Sequence, residues 1–192
     1  MNRREFLKTA AILTAGLFLP ANIIEAKPKL KTLDELEIET LPLEFGEMDI
    51  RTHTGAIVIH HTGMRNVDMT VADIHDLHVN GNHWSGIGYH FVIHKDGIIS
   101  SGRPLKYCGA HAMLNNEFTV GVCLTGNYNF GKPPIEQLNS AVELVAAICD
   151  KYKFEPSDTT IFGHRDFGGT TCPGNNLYKL LPEIISMSKS LQ

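Results

Sequence analysis

The hydrophobic pattern of the chain switches repeatedly between the period of a strand and the period of a helix. Short, continuous apolar runs are typical of buried strands. Three such runs occur, at residues 56–60, 119–125 and 159–162. The stretch GYHFVIH alternates instead, which predicts a strand with Tyr89 on one face and His90 and His94 on the other. The Asp96-Gly97 pair that follows predicts a hairpin turn into the next strand.

Helical periodicity appears first in residues 69–80. Thr70 and Asp73 are spaced as a variant of the capping box, which predicts where this helix begins. Its predicted buried face consists of Ile74, Leu77 and His78. His78 and His75 lie one turn apart and could bind a metal, although a packed core imidazole is the favoured interpretation.

Two further helices are predicted near the end of the chain. Pro133-Pro134 opens a long one, whose apolar stripe consists of Ile135, Leu138, Val142, Val145, Ile148 and Cys149. A second apolar helical pattern covers residues 177–187 and is broken at Pro182. Strands interleaved with helices, together with one hairpin, predict an α/β fold, a mixed central β-sheet flanked by helices in a single domain.

The first 26 residues read as an export signal of the twin-arginine type. Arg3-Arg4 precede a short apolar run, and small residues follow, with cleavage expected after Ala21 or Ala26. An N-terminal helix of the domain or an uncleaved membrane anchor is the alternative. We interpret residues 27–52 as a linker or an arm lying on the domain, and residues 53–192 as the domain itself. The mature protein is then expected in the periplasm, or secreted, without a stable membrane anchor.

Composition narrows the function further. The chain has 192 residues, 43% of them hydrophobic and 20% charged, with a net charge of −4, which suits one well-buried domain. No clustered positive charge suggests a nucleic-acid partner. The four cysteines are too few and too irregularly spaced for a disulfide framework, and Cys123 and Cys149 lie in apolar segments typical of buried thiols.

Candidate chemistry is concentrated after the last predicted strand, in GHRDFGGTTCPG. His164 and Cys172 of this motif offer an imidazole nitrogen and a thiolate, both of which zinc accepts; a catalytic zinc site takes three protein ligands and water. The IVIHHT motif supplies a third candidate, because His60 and His61 point to opposite faces of a strand and only one can join the site. Taken singly, each of these residues is more often packed or solvated than a ligand.

Five motifs in order carry a family resemblance: IVIHHT, GIGYHFVIHKDGIISSGR, GAHA with Asn116, VGVCLTG and FGHRDFGGTTCPG. Between about residues 57 and 181 they resemble the zinc-dependent N-acetylmuramoyl-L-alanine amidases. That family includes the T7-lysozyme-type amidases and the peptidoglycan recognition proteins. The resemblance implies the single-domain fold of those proteins, a Zn²⁺ cofactor, and peptidoglycan or muropeptides as partners.

Carried over residue by residue, the resemblance assigns the metal ligands to His60, His164 and Cys172. Tyr89 matches the active-site tyrosine, and Thr170 stands where recognition-protein amidases carry Thr and phage members carry Lys. The resemblance also places the GAHA loop at the edge of the groove. His111 and Asn116 are therefore candidates for contact with substrate, packing being the alternative.

The implied reaction is hydrolysis of the amide bond between the lactoyl group of N-acetylmuramic acid and L-alanine. Tyr89 is expected to donate a hydrogen bond to the developing oxyanion, with Thr170 assisting. Some relatives carry Glu where this chain has Cys123, so the general base is left open among Tyr89, the substrate and solvent. The alternative function is a peptidoglycan-binding recognition module without catalysis; a structural zinc site or a protein that acts by contact is a further rival.

Overall fold

The computed structural model describes residues 29–65 and 67–192, which form a six-stranded sheet with helices packed on both faces. The predicted export signal lies outside the described residues. The strands, in chain order, are β1 (Ile38–Glu39), β2 (Ala56–His61), β3 (Phe91–Ile93), β4 (Ile99–Ser101), β5 (Thr119–Leu124) and β6 (Ile161–Gly163). The helices are α1 (Val71–Asp76), α2 (Ile135–Tyr152), α3 (Asn175–Tyr178) and α4 (Leu181–Leu191).

The strand order across the sheet is β1-β4-β3-β5-β2-β6. β3 and β4 form the predicted antiparallel hairpin, and the other described neighbours are parallel. The longest strands, β2 and β5, lie next to each other near the centre, and all six residues of each are buried. The predicted α/β class, a mixed central sheet flanked by helices, is therefore confirmed.

One face of the sheet, called the core face here, is covered by α2 and α4. Alternate strand residues point into it and meet the buried stripe of α2. The buried strand side chains on this face are Ile57, Ile59, Phe91, Ile93, Ile99, Val120, Val122, Leu124 and Ile161. Leu144, Val145 and Ile148 of α2 are fully buried against them. This face removes most apolar area from water and therefore supplies most of the hydrophobic stabilisation.

The opposite face, called the site face here, carries α1 and a smaller apolar cluster built around Ile74, Ile87 and Val92. The capping box that begins α1 forms as predicted: the Asp73 backbone N–H donates to Thr70 Oγ1 at 3.1 Å, and Asp73 accepts from the Thr70 backbone at 2.8 Å. After Asp76 the helix continues as a π-helical turn, Leu77–Gly81.

Residues 29–52 lie against the sheet as an arm. They form one 3₁₀ turn at Leu33–Glu35 and then β1, which pairs with β4. Three apolar residues of the arm pack on the site-face cluster: Leu41, Leu43 and Phe45. Arg51 ends the arm with a buried guanidinium that donates to the carbonyl oxygens of Thr119, at 2.8 Å, and Leu105.

The structure corrects four details of the sequence prediction. Leu77 is 46% exposed, because the helix widens into the π turn there and His78 continues the buried face instead. Ile135 is 50% exposed at the first turn of α2. The helical pattern of residues 177–187 is interrupted as predicted, but at residues 179–180, and Pro182 lies in the first turn of α4, where its missing N–H is tolerated.

The fourth correction concerns the strand around Tyr89. Within residues 88–94, only Phe91–Ile93 (β3) forms a regular strand. The alternation of side chains between the two faces, expected from residue 88, therefore does not hold before Phe91. The Tyr89 ring lies 5.0 Å from the ring of His60, and the His90 ring lies 5.6 Å from that of His111, so both occupy the site face. Within the described residues, no helix is both long and apolar enough to cross a bilayer.

Candidate metal centre

Two neighbouring parallel strands bring His60 and His164 together. β2 pairs with β6 up to Ile59 opposite Gly163. His60 is the next residue of β2 and His164 directly follows β6, so both lie at the same edge of the sheet. Their ring centroids are 4.6 Å apart. Strand pairing thus joins two residues that are distant in sequence.

Cys172 reaches the same point on the loop that follows β6. The Arg165 backbone N–H donates to the Cys172 carbonyl at 2.8 Å, which closes the loop. Cys172 Sγ lies 3.7 Å from His60 Nδ1 and accepts from the His61 backbone N–H at 3.4 Å. The ligand atoms of His60, His164 and Cys172 all lie within 4.8 Å of one another. Two imidazole nitrogens and one thiol are a donor set that suits Zn²⁺.

His61 takes no part in this cluster. Its Nδ1 accepts the Tyr128 backbone N–H at 3.1 Å, and the two rings lie 6.1 Å apart. As the strand alternation predicts, His60 lies on the site face and His61 on the core face.

Burial sets the protonation of the cluster. Burial, and secondarily the neighbouring His164, holds the pKa of His60 well below its usual value, and burial also lowers the pKa of His164. Neutral imidazoles are the form that binds a metal. Burial raises the pKa of the Cys172 thiol to about 11, opposed by the His61 backbone N–H and by Arg165. A metal ion must therefore displace a proton from Cys172 as it binds.

The Tyr89 ring stands beside the cluster, on a segment held by α1 and by the π turn that follows it. The Gly88 backbone N–H donates to His78 Nδ1 at 3.0 Å, and the Ile87 N–H donates to His75 Nδ1 at 3.2 Å. His78 and His75 are therefore packed, hydrogen-bonded imidazoles rather than a second metal pair. Burial, followed by the nearby Cys123 and Cys172 thiols, raises the pKa of Tyr89 well above its usual value, so its hydroxyl is a hydrogen-bond donor.

The other predicted site residues lie close by but make structural contacts. Thr170 Oγ1 accepts the Cys172 backbone N–H at 3.1 Å. Asn116 Oδ1 accepts the backbone N–H groups of His111 and Ala112, at 2.9 and 3.0 Å. His111 is 6% exposed, and its Nδ1 lies 3.1 Å from His60 Nε2. Contact of His111 and Asn116 with substrate stays a prediction.

Sequence reasoning missed the link between His111 and His60. A glycine in the middle of the apolar run TVGVCLT was the available signal, because Gly121 leaves the space that the His111 ring occupies. The buried arginines Arg51 and Arg103 were also missed. Arg103 donates to the carbonyl oxygen of Ile87 at 2.9 Å and so helps to hold the segment that carries Tyr89.

Comparison with known proteins agrees with this arrangement. The peptidoglycan-recognition protein LB of Drosophila melanogaster is 34% identical over 129 residues, which cover 64% of this chain and 55% of that protein. The chain thus matches little more than half of that relative's length. The amidase LysC from Clostridium intestinale URNW superimposes with a TM-score of 0.71 at 32% identity, covering 79% of this chain and 98% of that one.

A structure of Drosophila PGRP-LB in complex with tracheal cytotoxin is similar with a TM-score of 0.64 at 29% identity, over 71% of this chain and 85% of that chain. The family model described as N-acetylmuramoyl-L-alanine amidase (Amidase_2) matches residues 51–175. That range contains all three residues of the metal cluster. The chain therefore belongs to the N-acetylmuramoyl-L-alanine amidase family.

Proposed function

We propose that the protein is a zinc-dependent N-acetylmuramoyl-L-alanine amidase, which hydrolyses the amide between the lactoyl group of N-acetylmuramic acid and L-alanine. The observation that carries the proposal is the convergence of His60, His164 and Cys172 within 4.8 Å. Structural zinc sites are closed by four protein ligands, whereas three ligands leave a position for reaction. His164 is partly exposed, so substrate can approach from its side.

A zinc ion held there would act as a Lewis acid on the scissile carbonyl and would lower the pKa of a bound water to about 7. His60, His164 and Cys172 orient the ion with respect to the sheet. The Tyr89 hydroxyl, kept protonated by burial, donates a hydrogen bond to the oxyanion as it develops on the substrate. The Thr170 hydroxyl accepts from the Cys172 backbone and still has its own hydrogen to donate.

The identity of the general base follows partly from the same contacts. A tyrosine whose pKa is raised holds its proton at neutral pH, which argues against Tyr89 as the base. Cys123 is fully buried, and burial keeps the pKa of its thiol well above the usual value. We infer that the substrate or the solvent accepts the proton from the attacking water.

The names of the relatives support peptidoglycan or a muropeptide as the substrate: one is a peptidoglycan-recognition protein, and one structure holds tracheal cytotoxin. The rival function is recognition without catalysis. Two features favour catalysis over recognition: the complete His-His-Cys donor set, and the Tyr89 ring centroid 5.0 Å from that of His60. Binding of peptidoglycan alone requires neither feature.

The deciding experiment is mass spectrometry of muropeptides incubated with the protein, with and without a chelator. An amidase releases stem peptides with a free L-alanine amine, and the chelator abolishes the release. Binding of muropeptides without any release, in protein shown to contain zinc, would support the recognition module instead.

We also propose that the protein works after export, in the periplasm or outside the cell. The support is the Arg3-Arg4 motif and the apolar run that follows it. The Arg3→Lys, Arg4→Lys double variant should remain in the cytoplasm. N-terminal sequencing of the exported wild type should begin after Ala21 or Ala26; an intact Met1 would contradict this.

A further inference from the structure

The His111 ring lies directly behind His60 on the site face. His60 Nε2 and His111 Nδ1 are 3.1 Å apart, and the rings meet edge to face, 84° apart in plane. His111 is 6% exposed and His60 is 1% exposed. The contact is therefore shielded from water, where a hydrogen bond restrains orientation strongly.

The backbone is shaped to admit this ring. Side chains at Gly109 or Gly121 would overlap the His111 imidazole, so the two glycines form a slot for it. Gly121 is in the interior of β5, where glycine costs about 0.5–1 kcal/mol relative to alanine. Neither glycine has a positive φ, so backbone conformation does not require them. Space for His111 is the reason that remains.

The geometry limits which nitrogen of His60 can carry its proton once a metal is bound. Nδ1 of His60 faces Cys172 Sγ at 3.7 Å, so a metal bound between His60 and Cys172 takes the lone pair of Nδ1. Nε2 must then carry the hydrogen and donate it to His111 Nδ1. His111 in turn holds its own hydrogen on Nε2, which is buried.

We propose that His111 is a positioning residue for the metal, which fixes the tautomer and ring orientation of His60 so that Nδ1 is free to coordinate. This inference rests on the zinc site of the proposed function. In this role His111 contacts the metal ligand His60, and it does not contact substrate. Partners that orient a ligating histidine are usually carboxylates or carbonyls; here the partner is a second imidazole.

The first test measures zinc affinity by competition with a chelator in two variants of similar size. His111→Leu removes the acceptor, and zinc should bind about 10- to 100-fold more weakly. His111→Asn restores an acceptor near the position of Nδ1, and the affinity should return to within a few-fold of the wild type. The melting temperature of each zinc-free variant reports whether it folds.

If the role of His111 is purely structural, both variants should lose the same amount of zinc affinity. If His111 contacts substrate instead, the variants should bind muropeptide more weakly while their zinc affinity stays constant. Either result would overturn the inference. If the wild type itself binds no zinc, the proposed function fails.

The second test needs neither zinc nor a variant. Long-range ¹⁵N–¹H correlation spectra of the zinc-free wild type should show His60 protonated on Nε2 and unprotonated on Nδ1. The opposite tautomer, or an equal mixture, would overturn the proposal even if zinc binds well. This test also decides the matter if His111→Leu does not fold.

Discussion

The two faces of the central sheet are built from the same strands and serve different purposes. In β2, Ile57 and Ile59 point to the core face, whereas His60 points to the site face. In β5, Val120 and Val122 point to the core face, and Gly121 leaves space on the other. The hydrophobic effect that holds the core face is non-directional, while each buried polar group on the site face needs a hydrogen-bond partner in the right direction.

That difference separates stability from chemistry. Burial of apolar area on the core face is worth about 25 cal/mol per Å². Buried polar groups on the site face contribute little net stability, yet leaving one unpaired is expensive. His90 illustrates this: it accepts the Gly121 backbone N–H at 3.0 Å and reaches the Tyr107 carbonyl oxygen at 3.1 Å. Substitutions on the two faces should therefore fail in different assays.

The largest effect is expected from a paired cysteine experiment. Cys172→Ala removes a metal ligand, so zinc content should fall sharply and hydrolysis should fall by about 10³-fold or more, since the Lewis acid is worth several kcal/mol. Cys149→Ala, a buried thiol in the core-face cluster, is the matched control and should keep its zinc. If Cys172→Ala keeps the zinc content and the activity of the wild type, Cys172 is not a metal ligand.

Next comes truncation on the core face. Leu144 is fully buried in α2, and Leu144→Ala should lower the free energy of unfolding by about 2–5 kcal/mol through lost burial and the remaining cavity. Its zinc affinity should match that of the wild type. Chemical denaturation and chelator competition measure the two quantities. A large loss of zinc affinity in folded Leu144→Ala would show that the faces are not separable.

A third experiment removes one hydroxyl from each face. Tyr89→Phe should slow turnover by about 10²-fold with zinc content unchanged, because the lost hydrogen bond is strongest in the transition state. Tyr128→Phe removes the hydroxyl next to Gln137 Oε1 and the Thr125 carbonyl oxygen and leaves Gln137 Oε1 buried without a donor, so it should cost about 1–3 kcal/mol of stability with normal turnover. Near wild-type turnover in Tyr89→Phe would make Tyr89 structural.

The most gradual effect concerns pH, since it accumulates by at most about 1.4 kcal/mol per pH unit. Burial, and secondarily Arg51, lowers the pKa of His90 from 6.5 to about 3. The unfolded chain therefore binds a proton below pH 6.5 that the folded protein does not bind until about pH 3. This contribution to stability is fully present above pH 6.5 and is lost as the pH falls through that window.

In zinc-free protein, the stability of His90→Gln should fall less steeply than that of the wild type below pH 6.5, by about 1.4 kcal/mol per pH unit. Denaturant titrations at several pH values measure the slopes. Leu144→Ala should lower stability at every pH and keep the wild-type slope. Equal slopes in His90→Gln and the wild type would mean that His90 is protonated in the folded state.

Sequence predicts the core face better than the site face. The apolar runs of β2 and β5 are unambiguous because both strands are central and buried. Periodicity failed at Leu77, where a π turn changes the repeat, and at Tyr89, where the chain is not yet a strand. Neither event has a signature in hydrophobic spacing alone.

For the site, the resemblance supplied the candidate ligands, and the fold supplied their neighbours. His60 and His164 meet only because β2 pairs with β6, a contact that no local pattern encodes. The role of His111 depends on two glycines and on a nitrogen-to-nitrogen distance, neither of which can be obtained from sequence.

The position of β6 has a consequence for local unfolding at the edge of the sheet. β6 is a three-residue strand at the edge of the sheet, and among the described strands it pairs only with β2. A metal shared by His60 on β2 and by His164 and Cys172 beyond β6 would tie that edge to the centre. At a free metal concentration a thousand times the Kd, opening this edge would cost about 4 kcal/mol more. Amide exchange and proteolysis after residue 160 would slow accordingly, because the ion would stabilise the edge strand against local unfolding.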